Sequence, residues 1–235
     1  MSITLVDQNN IEDYDKTYAG GFDHMYPDLD LVRLERWYFD HKPGTLLDYG
    51  FGTGENAVHF LRLGYALEGL EGSKEALNLV NGKLSRHLIH HPDWGGRVRM
   101  QLIEGDAVRL PYDENTFDYV VCMGVLSLLA LRERIELLLS EFMRVMRRNA
   151  KIIATIQGPG NLFFTKGRCV GDDVYEFNGR QGDPSNLSRG AHYIPQSESQ
   201  VWDLFKGFSV DEVGLSSFKY GGVEDFRFII CARKP

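Results

Sequence analysis

Three glycines spaced two residues apart constrain this chain more than any other feature. Gly50, Gly52 and Gly54 follow a short apolar run at 45–49, and apolar residues at helical spacing begin at 57. The pattern predicts a buried strand, a tight turn and a helix. Glycine is needed where the backbone takes a positive φ or a ligand comes close, and the unpaired N–H groups of a helix start favour an electronegative ligand group. We therefore expect a small-molecule cofactor across this turn.

The composition is that of a soluble globular protein. The 235 residues are 43% hydrophobic and 25% charged, with a net charge of -7, which argues against a nucleic-acid partner. No apolar run approaches the roughly 20 residues needed to span a bilayer. The N-terminus lacks the pattern of a secretion signal, and the three widely spaced cysteines fit a reducing compartment. We expect a cytoplasmic protein with neither a membrane nor a nucleic-acid partner.

Strand and helix patterns divide a single predicted domain, 1–235, into four segments. The first, 1–44, contains an amphipathic helix that is either a lid over the glycine turn or a helix covering the sheet. Five strands alternate with helices in 45–156, a Gly- and Asn-rich insertion on the acceptor side fills 157–193, and a helix and two strands end the chain at 194–235. This alternation predicts an α/β fold with a parallel sheet, and the last two strands add an antiparallel member.

Ligands of such sheets bind outside the carboxyl ends of the strands. The predicted strands bring to this edge Asp48, Glu71, Asp106, Ala107, Cys122, Met123 and Gly124. Glu71 lies about 20 residues after the first glycine, where a carboxylate can bind both hydroxyls of a ribose. The structural alternative is an acid that stabilises a helix N-terminus.

Two further acids have alternative roles. Asp106 can accept a hydrogen bond from an adenine amine, or can be an ordinary turn aspartate. Asp48 is either a direct ligand acceptor or a brace for the glycine turn. A dinucleotide site would require G-x-G-x-x-G, but the position of the third glycine holds Glu55, whose carboxylate would repel a pyrophosphate.

These motifs together resemble the class I S-adenosylmethionine-dependent methyltransferases. The resemblance covers most of 45–156; the segments 49–51 and 148–150 depart from the usual family residues. It implies a Rossmann-like sheet of seven strands in the order 3-2-1-4-5-7-6, with strand 7 antiparallel. It also implies S-adenosylmethionine as cofactor and S-adenosylhomocysteine as product. The implied cofactor-binding residues are Asp48, Gly50, Phe51, Gly52, Gly54, Asn56, Glu71, Gly72, Asp106, Ala107, Cys122 and Met123.

The acceptor is expected to be a small molecule that is methylated at oxygen. A hydroxyl acceptor must lose a proton, which requires a base, and His192 and His24 are the candidates. Loop histidines without a catalytic role are the alternative for both. The candidate acceptor-binding residues are Tyr18, Tyr26, Arg33 and Tyr193.

Other functions are less well supported by the sequence. A cluster of histidines at 87–91 has helical spacing, but a solvated loop explains it, and no metal site is predicted. A non-catalytic cofactor-binding protein and an aminopropyltransferase use the same fold, and the latter needs an acid pair that is absent after the fourth strand. Nothing in the sequence fixes the acceptor's identity or an oligomeric state.

Overall fold

A computed structural model describes residues 3–103, 107–177, 190–220 and 223–235. The strands within these ranges are β1 (Thr45–Tyr49), β2 (Ala66–Glu71), β3 (Val98–Leu102), β4 (Phe117–Cys122), β5 (Met146–Gln157), β6 (Arg168–Gly171), β7 (Val174–Phe177), β8 (Gly190–Tyr193), β9 (Ser209–Tyr220) and β10 (Val223–Arg233). The helices are α1 (Ile3–Ala19), α2 (Leu29–Trp37), α3 (Glu55–Arg62), α4 (Lys74–Leu88), α5 (Arg132–Val145), α6 (Leu162–Lys166) and α7 (Glu198–Leu204), with short 3-10 helices at Pro92–Gly96 and Leu126–Leu129. None of the helices described is long and apolar enough to cross a membrane.

Seven strands form the central sheet in the order β3-β2-β1-β4-β5-β10-β9. The first five are mutually parallel, and β10 is antiparallel to both β5 and β9. Because β9 and β10 are the sixth and seventh strands of this sheet, the predicted order 3-2-1-4-5-7-6 with an antiparallel strand 7 is confirmed. The parallel order reverses between β1 and β4, so the switch point lies at the glycine turn.

Hydrophobic side chains on both faces of the sheet form the core. Alternate strand residues point to opposite faces, so Leu47 and Tyr49 of β1 pack with Phe142 of α5, whereas Leu46 packs with Phe60 of α3. All five are buried. This double burial explains the nearly continuous apolar run at 152–156 in the central strand β5.

The N-terminal segment contains a helix that the sequence pattern does not predict. Helix α1 is polar on most of its circumference, which weakens the helical signal. Its apolar stripe consists of Ile11, Tyr14 and Tyr18, which line the cavity described below. Asp15 anchors α1 to α4, because its Oδ1 accepts hydrogen bonds from Ser73 Oγ at 2.6 Å and from the N–H of Glu75 at 2.9 Å.

The insertion at 157–193 also has regular structure of its own. Helix α6 precedes β6, β7 and β8, which form a separate antiparallel sheet. Residues 178–189 lie outside the described ranges. The histidine cluster at 87–91, for which a solvated loop is predicted, begins within the last turn of α4 and precedes a 3-10 helix. His91 stacks on Trp94 of this short helix, with ring centroids 4.6 Å apart.

Candidate cofactor and acceptor site

A cavity of about 350 Å³ opens at the carboxyl edge of the sheet, between the glycine turn and the N-terminal segment. Its size falls within the range of ligand pockets. The lining residues are Asn10, Ile11, Tyr14, Tyr18, His24, Tyr26, Asp28, Tyr49, Gly50, Phe51, Gly52, Glu55, Asn56, Glu71, Gly72, Ile103, Ala107, Met123, Gly124, Val125, Leu128, Leu129 and Arg227.

The glycine turn requires its glycines for two reasons. Gly50, Gly52 and Gly54 have φ values of 74°, 55° and 82°, in the left-handed region. A Cβ on Gly50 would lie 2.2 Å from Val125 Cγ2, and one on Gly54 would lie 2.1 Å from Val80 Cγ2. Gly54 therefore fits α3 against α4 and does not line the cavity, whereas the other two present backbone to it.

Glu71 ends β2 at the cavity and is held by backbone donors. Its Oε2 accepts from the N–H of Gly52 at 2.9 Å, and its Oε1 accepts from those of Gly72 at 2.7 Å and Ser73 at 3.0 Å. Burial raises the pKa of Glu71, and these three hydrogen bonds oppose that shift. Ser73 is also the N-cap of α4, as its side chain predicts, so the same turn begins the helix and orients the carboxylate.

Asp48 lies beneath the turn and does not line the cavity. Its side chain is 1% exposed, and its Oδ2 has no hydrogen-bond partner among the described residues. Burial, followed by the charges of Glu55 and Glu71, raises the pKa of Asp48 to about 8. Of the two roles open for Asp48, this position favours the brace over the direct ligand acceptor. Cys122 is likewise buried behind the wall, to which the next residues, Met123 and Gly124, contribute instead.

Residues 10–28 of the N-terminal segment line one side of the cavity. The connecting stretch of this segment is attached to the glycine turn by two hydrogen bonds: the N–H of His24 donates to Thr53 Oγ1 at 3.1 Å, and that of Asp28 donates to Asn56 Oδ1 at 3.0 Å. Asp28 also N-caps α2. Tyr18 is buried, with its pKa raised by burial and by the charge of Glu71, so its hydroxyl is neutral near pH 7.

A salt bridge also joins the N-terminal segment to the sheet. Arg227 of β10 contacts Asp28 Oδ2 at 2.7 Å and Asp30 Oδ2 at 2.8 Å. The sequence analysis does not identify Arg227, Asn10 or Tyr14 as site residues. The sequence around an arginine in a strand does not indicate which residues it will contact. Asp28 does have a local signal, because an aspartate immediately before an amphipathic helix is a typical N-cap.

Three of the predicted acceptor-side residues lie away from the cavity. His192 is 0% exposed and stacks on Phe163, with ring centroids 3.9 Å apart. Tyr193 is also buried, in the main core. Arg33 lies on the exposed face of α2, 3.4 Å from Asp30. His24, Tyr18 and Tyr26 do line the cavity, whereas Asp106 lies outside the described residues.

The central part of the chain matches a known family. Residues 47–154 match the model of a methyltransferase domain. This part of the chain is therefore similar to class I methyltransferase domains, and the order of the sheet agrees with that similarity. The matched segment begins in β1 and ends in β5, so it contains the glycine turn and Glu71. No curated protein matches the sequence.

Solved structures are similar to this chain over nearly its whole length. One, from work on the conversion of a disulfide bond into a thioacetal group during echinomycin biosynthesis, is 21% identical with a TM-score of 0.69, covering 95% of this chain and 92% of that chain. The cyclase SpnF is 19% identical with a TM-score of 0.64, covering 100% of this chain and 96% of its own.

A third similar structure contains a ligand of interest here. It is the 1,6-didemethyltoxoflavin-N1-methyltransferase of Burkholderia thailandensis with bound 1,6-didemethyltoxoflavin and S-adenosylhomocysteine. It is 15% identical with a TM-score of 0.59, covering 97% of this chain and 80% of that chain. At these identities the structures establish a shared fold, whereas the domain match supports S-adenosylmethionine-dependent methyl transfer.

Proposed function

We propose that this protein transfers the methyl group of S-adenosylmethionine to an oxygen of a small-molecule acceptor. The observation that carries the proposal is the contact between Glu71 Oε2 and the N–H of Gly52, two residues separated by 19 positions in the chain. The contact puts a carboxylate beside a glycine turn at the switch point, which is the arrangement that a ribose and its attached chain require.

The residues around the cavity fit this cofactor. Glu71 would hold the ribose hydroxyls, and the backbone of Gly50 and Gly52 would approach the methionine end, with Met123 and Gly124 of the neighbouring strand opposite. Ala107 lines the wall at the adenine end. The contact between Asp106 and the adenine amine stays a prediction from the sequence.

The bound cofactor supplies an electrophilic methyl group on a positively charged sulfur. What remains for the protein is to align the acceptor with that methyl and to exclude water. The lid covers the cavity and is attached on two sides, at the glycine turn and at Arg227. Tyr14, Tyr18 and Tyr26 give the lid an aromatic inner surface, which fits a small apolar acceptor with a reactive hydroxyl.

We further propose His24 as the base that accepts the hydroxyl proton. His24 lines the cavity, and its backbone N–H is fixed to Thr53. Its ring packs edge-on against Phe22, with centroids 4.6 Å apart. His192 is a poorer candidate, because its buried ring stacks on Phe163 of α6 and does not line the cavity. Tyr193 and Arg33 are poorer candidates for acceptor binding, because neither lines the cavity.

The net charge and the free cysteines support two further parts of the proposal, the kind of acceptor and the cellular compartment. A net charge of -7 disfavours nucleic acid as the acceptor. Cys122, Cys169 and Cys231 are all free, which fits a cytoplasmic enzyme. We propose that the chain acts as one domain, with 1–44 as its lid and 157–193 on the acceptor side.

Isothermal titration with S-adenosylmethionine and S-adenosylhomocysteine tests the first step. We expect micromolar binding by the natural protein and a loss of at least about 100-fold in the Glu71→Ala variant, because two hydrogen bonds to a carboxylate, at about 1.5 kcal/mol each, contribute about 3 kcal/mol. Glu68→Gln is the matched control, since Glu68 lies on the same strand and does not line the cavity.

Turnover with a panel of hydroxylated, carboxylic and amino acceptors, read by mass spectrometry, tests the second step. Methylated product from hydroxylated acceptors supports the proposal. Absence of cofactor binding even at millimolar concentration would refute it. Binding without any methylated product would show a cofactor-binding protein that does not catalyse the transfer, and product formed only from amines would refute oxygen as the acceptor atom.

A further inference from the structure

Charge is unevenly distributed around the cavity. Asp28, Glu55 and Glu71 line it, whereas Arg227 is the one lysine or arginine among the described lining residues. The charge of Arg227 is already matched by two carboxylates, at 2.7 and 2.8 Å. The cavity is therefore negative at its glycine turn, where Glu55 and Glu71 have no arginine partner.

Glu55 is the less expected of these two acids. It is the first residue of α3, and its Oε2 accepts a hydrogen bond from Thr53 Oγ1 at 2.7 Å. The nearest described cation is Lys83, whose Nζ is 4.0 Å away and is already bound to Asp23 and to the carbonyl of His24. A helix N-terminus alone would attract anions; with Glu55 on its first turn, this one favours a cation.

Asp48 responds to the same two charges. It lies beneath the turn with an Oδ2 that has no partner among the described residues, and burial together with the charges of Glu55 and Glu71 raises its pKa to about 8, which keeps its carboxyl protonated near pH 7. The negative charge at the turn is therefore that of two carboxylates, one from α3 and one from β2. Such a site stabilises positive charge in a ligand, because the local dielectric is lower than that of water.

The cofactor and its product differ in this respect. S-Adenosylmethionine carries a sulfonium, an ammonium and a carboxylate, so its net charge is positive, whereas S-adenosylhomocysteine has a neutral sulfur and no net charge. Their adenosine and amino-acid parts are the same, so contacts to those parts bind both molecules alike. Only a group that responds to the sulfonium can distinguish them.

We propose that Glu55 is the specificity residue through which this site binds S-adenosylmethionine in preference to S-adenosylhomocysteine. This inference rests on the proposed function. During transfer an acceptor oxygen would form the new bond to the methyl carbon while the sulfur–methyl bond breaks with its electron pair on sulfur. The hydroxyl proton would pass to His24, the proposed base, and the cofactor would lose its positive charge on sulfur. The attraction of Glu55 is lost at that moment, so the spent product is held less tightly and exchanges for fresh cofactor.

The test compares the two dissociation constants in the Glu55→Gln variant by isothermal titration. Glutamine keeps the size of the side chain and an oxygen that can accept from Thr53. We expect the affinity for S-adenosylmethionine to fall about five- to tenfold, because the variant loses the attraction of one charge in a partly solvated cavity. The affinity for S-adenosylhomocysteine should change less than twofold.

Two controls accompany this variant. Glu114→Gln makes the same change in net charge on the exposed loop before β4, at the opposite edge of the sheet, and should leave both affinities unchanged. Glu55→Asp keeps the charge and should restore at least half of the preference. Circular dichroism of each variant shows whether the fold is retained.

The outcomes separate this inference from the proposed function. A natural protein that binds neither ligand would refute both. If the natural protein binds both ligands, and Glu55→Gln changes the two affinities equally or not at all, the role of Glu55 is overturned while the proposed function stands. A loss of affinity in Glu55→Gln that is confined to S-adenosylmethionine supports the role. In the natural protein, 0.5 M salt should cause a loss of the same kind, because salt screens the charge of a partly exposed group.

Discussion

The two ends of the cavity differ in what holds their functional groups. At the cofactor end, Glu71 and the glycine turn are fixed by backbone hydrogen bonds and by close packing on Val125. At the acceptor end, the wall consists of side chains from the lid and of Arg227, which is 170 or more residues from its partners in the chain. Backbone geometry follows from local sequence, whereas side chains brought together by distant segments do not. The cofactor end is therefore the part of the site that a motif can predict.

Replacement of Gly50 by alanine is the strongest test of the cofactor end. The new Cβ would lie 2.2 Å from Val125 Cγ2 at a φ of 74°. Left-handed strain and overpacking together should cost about 2 to 5 kcal/mol in the free energy of unfolding and abolish cofactor binding. Gly82→Ala is the control: a Cβ there meets nothing within 4 Å, so urea denaturation should show unchanged or slightly higher stability. Tolerance of Gly50→Ala would contradict the close packing of this turn.

The buried carboxyl of Asp48 should make stability depend on pH. Because its folded pKa, about 8, is above that of the unfolded chain, the folded state retains a proton that the unfolded state loses above about pH 4. The free energy of unfolding should therefore fall as the pH rises towards 8. Asp48→Asn removes this penalty, so its advantage over the natural protein should grow by up to about 3 kcal/mol between pH 5 and pH 7. Parallel stability curves for the two proteins would show that Asp48 is ionised when buried.

The two histidines should separate catalysis from packing. His24→Ala should lower kcat by about 100-fold, as expected for a lost base, with little change in unfolding. His192→Ala removes a buried ring from Phe163 and should cost about 2 to 3 kcal/mol of stability while kcat changes little. Thermal denaturation and turnover measured on both variants decide the matter. If His192→Ala lowers kcat and His24→Ala does not, the acceptor site lies at the segment 157–193 instead.

The smallest expected effect concerns the attachment of the lid. Asp30→Asn leaves Arg227 with one carboxylate and should reduce stability by less than about 1 kcal/mol, with faster hydrogen exchange in α2. Arg33→Ala is the matched control on the same helix, because Arg33 is exposed and contacts only the outer side of Asp30 in the described structure. Equal exchange in the two variants would mean that Arg227 does not hold the lid.

The sequence predicts the central sheet well for physical reasons. Strands buried on both faces are continuous apolar runs, and the glycines and Ser73 are required by backbone conformation, so each feature has a local signature. The sheet order follows once the family is recognised. The position of Asp48 beneath the turn does not follow, because an acid at the end of a strand looks the same whether it faces a ligand or the core.

The predictions that the structure favours least concern residues whose position is decided by long-range packing. His192 and Tyr193 belong to β8, which pairs with β7 and is buried against α6 and the main core. The sequence shows only a histidine and a tyrosine after a polar segment, which resembles a loop at an acceptor pocket. Helix α1 is missed for the opposite reason: its apolar residues are few, and its order depends on contacts such as that between Asp15 and Ser73.

The two hydrogen bonds from the lid to Thr53 and Asn56 also have a kinetic consequence. These residues flank Gly54, so the turn that approaches the cofactor is the turn to which the lid is attached. If a bound cofactor favours the closed lid, a closed lid must strengthen cofactor binding by the same coupling free energy. We therefore expect ordered binding, with the cofactor first and the acceptor second, and an acceptor dissociation constant that decreases once the cofactor is in place.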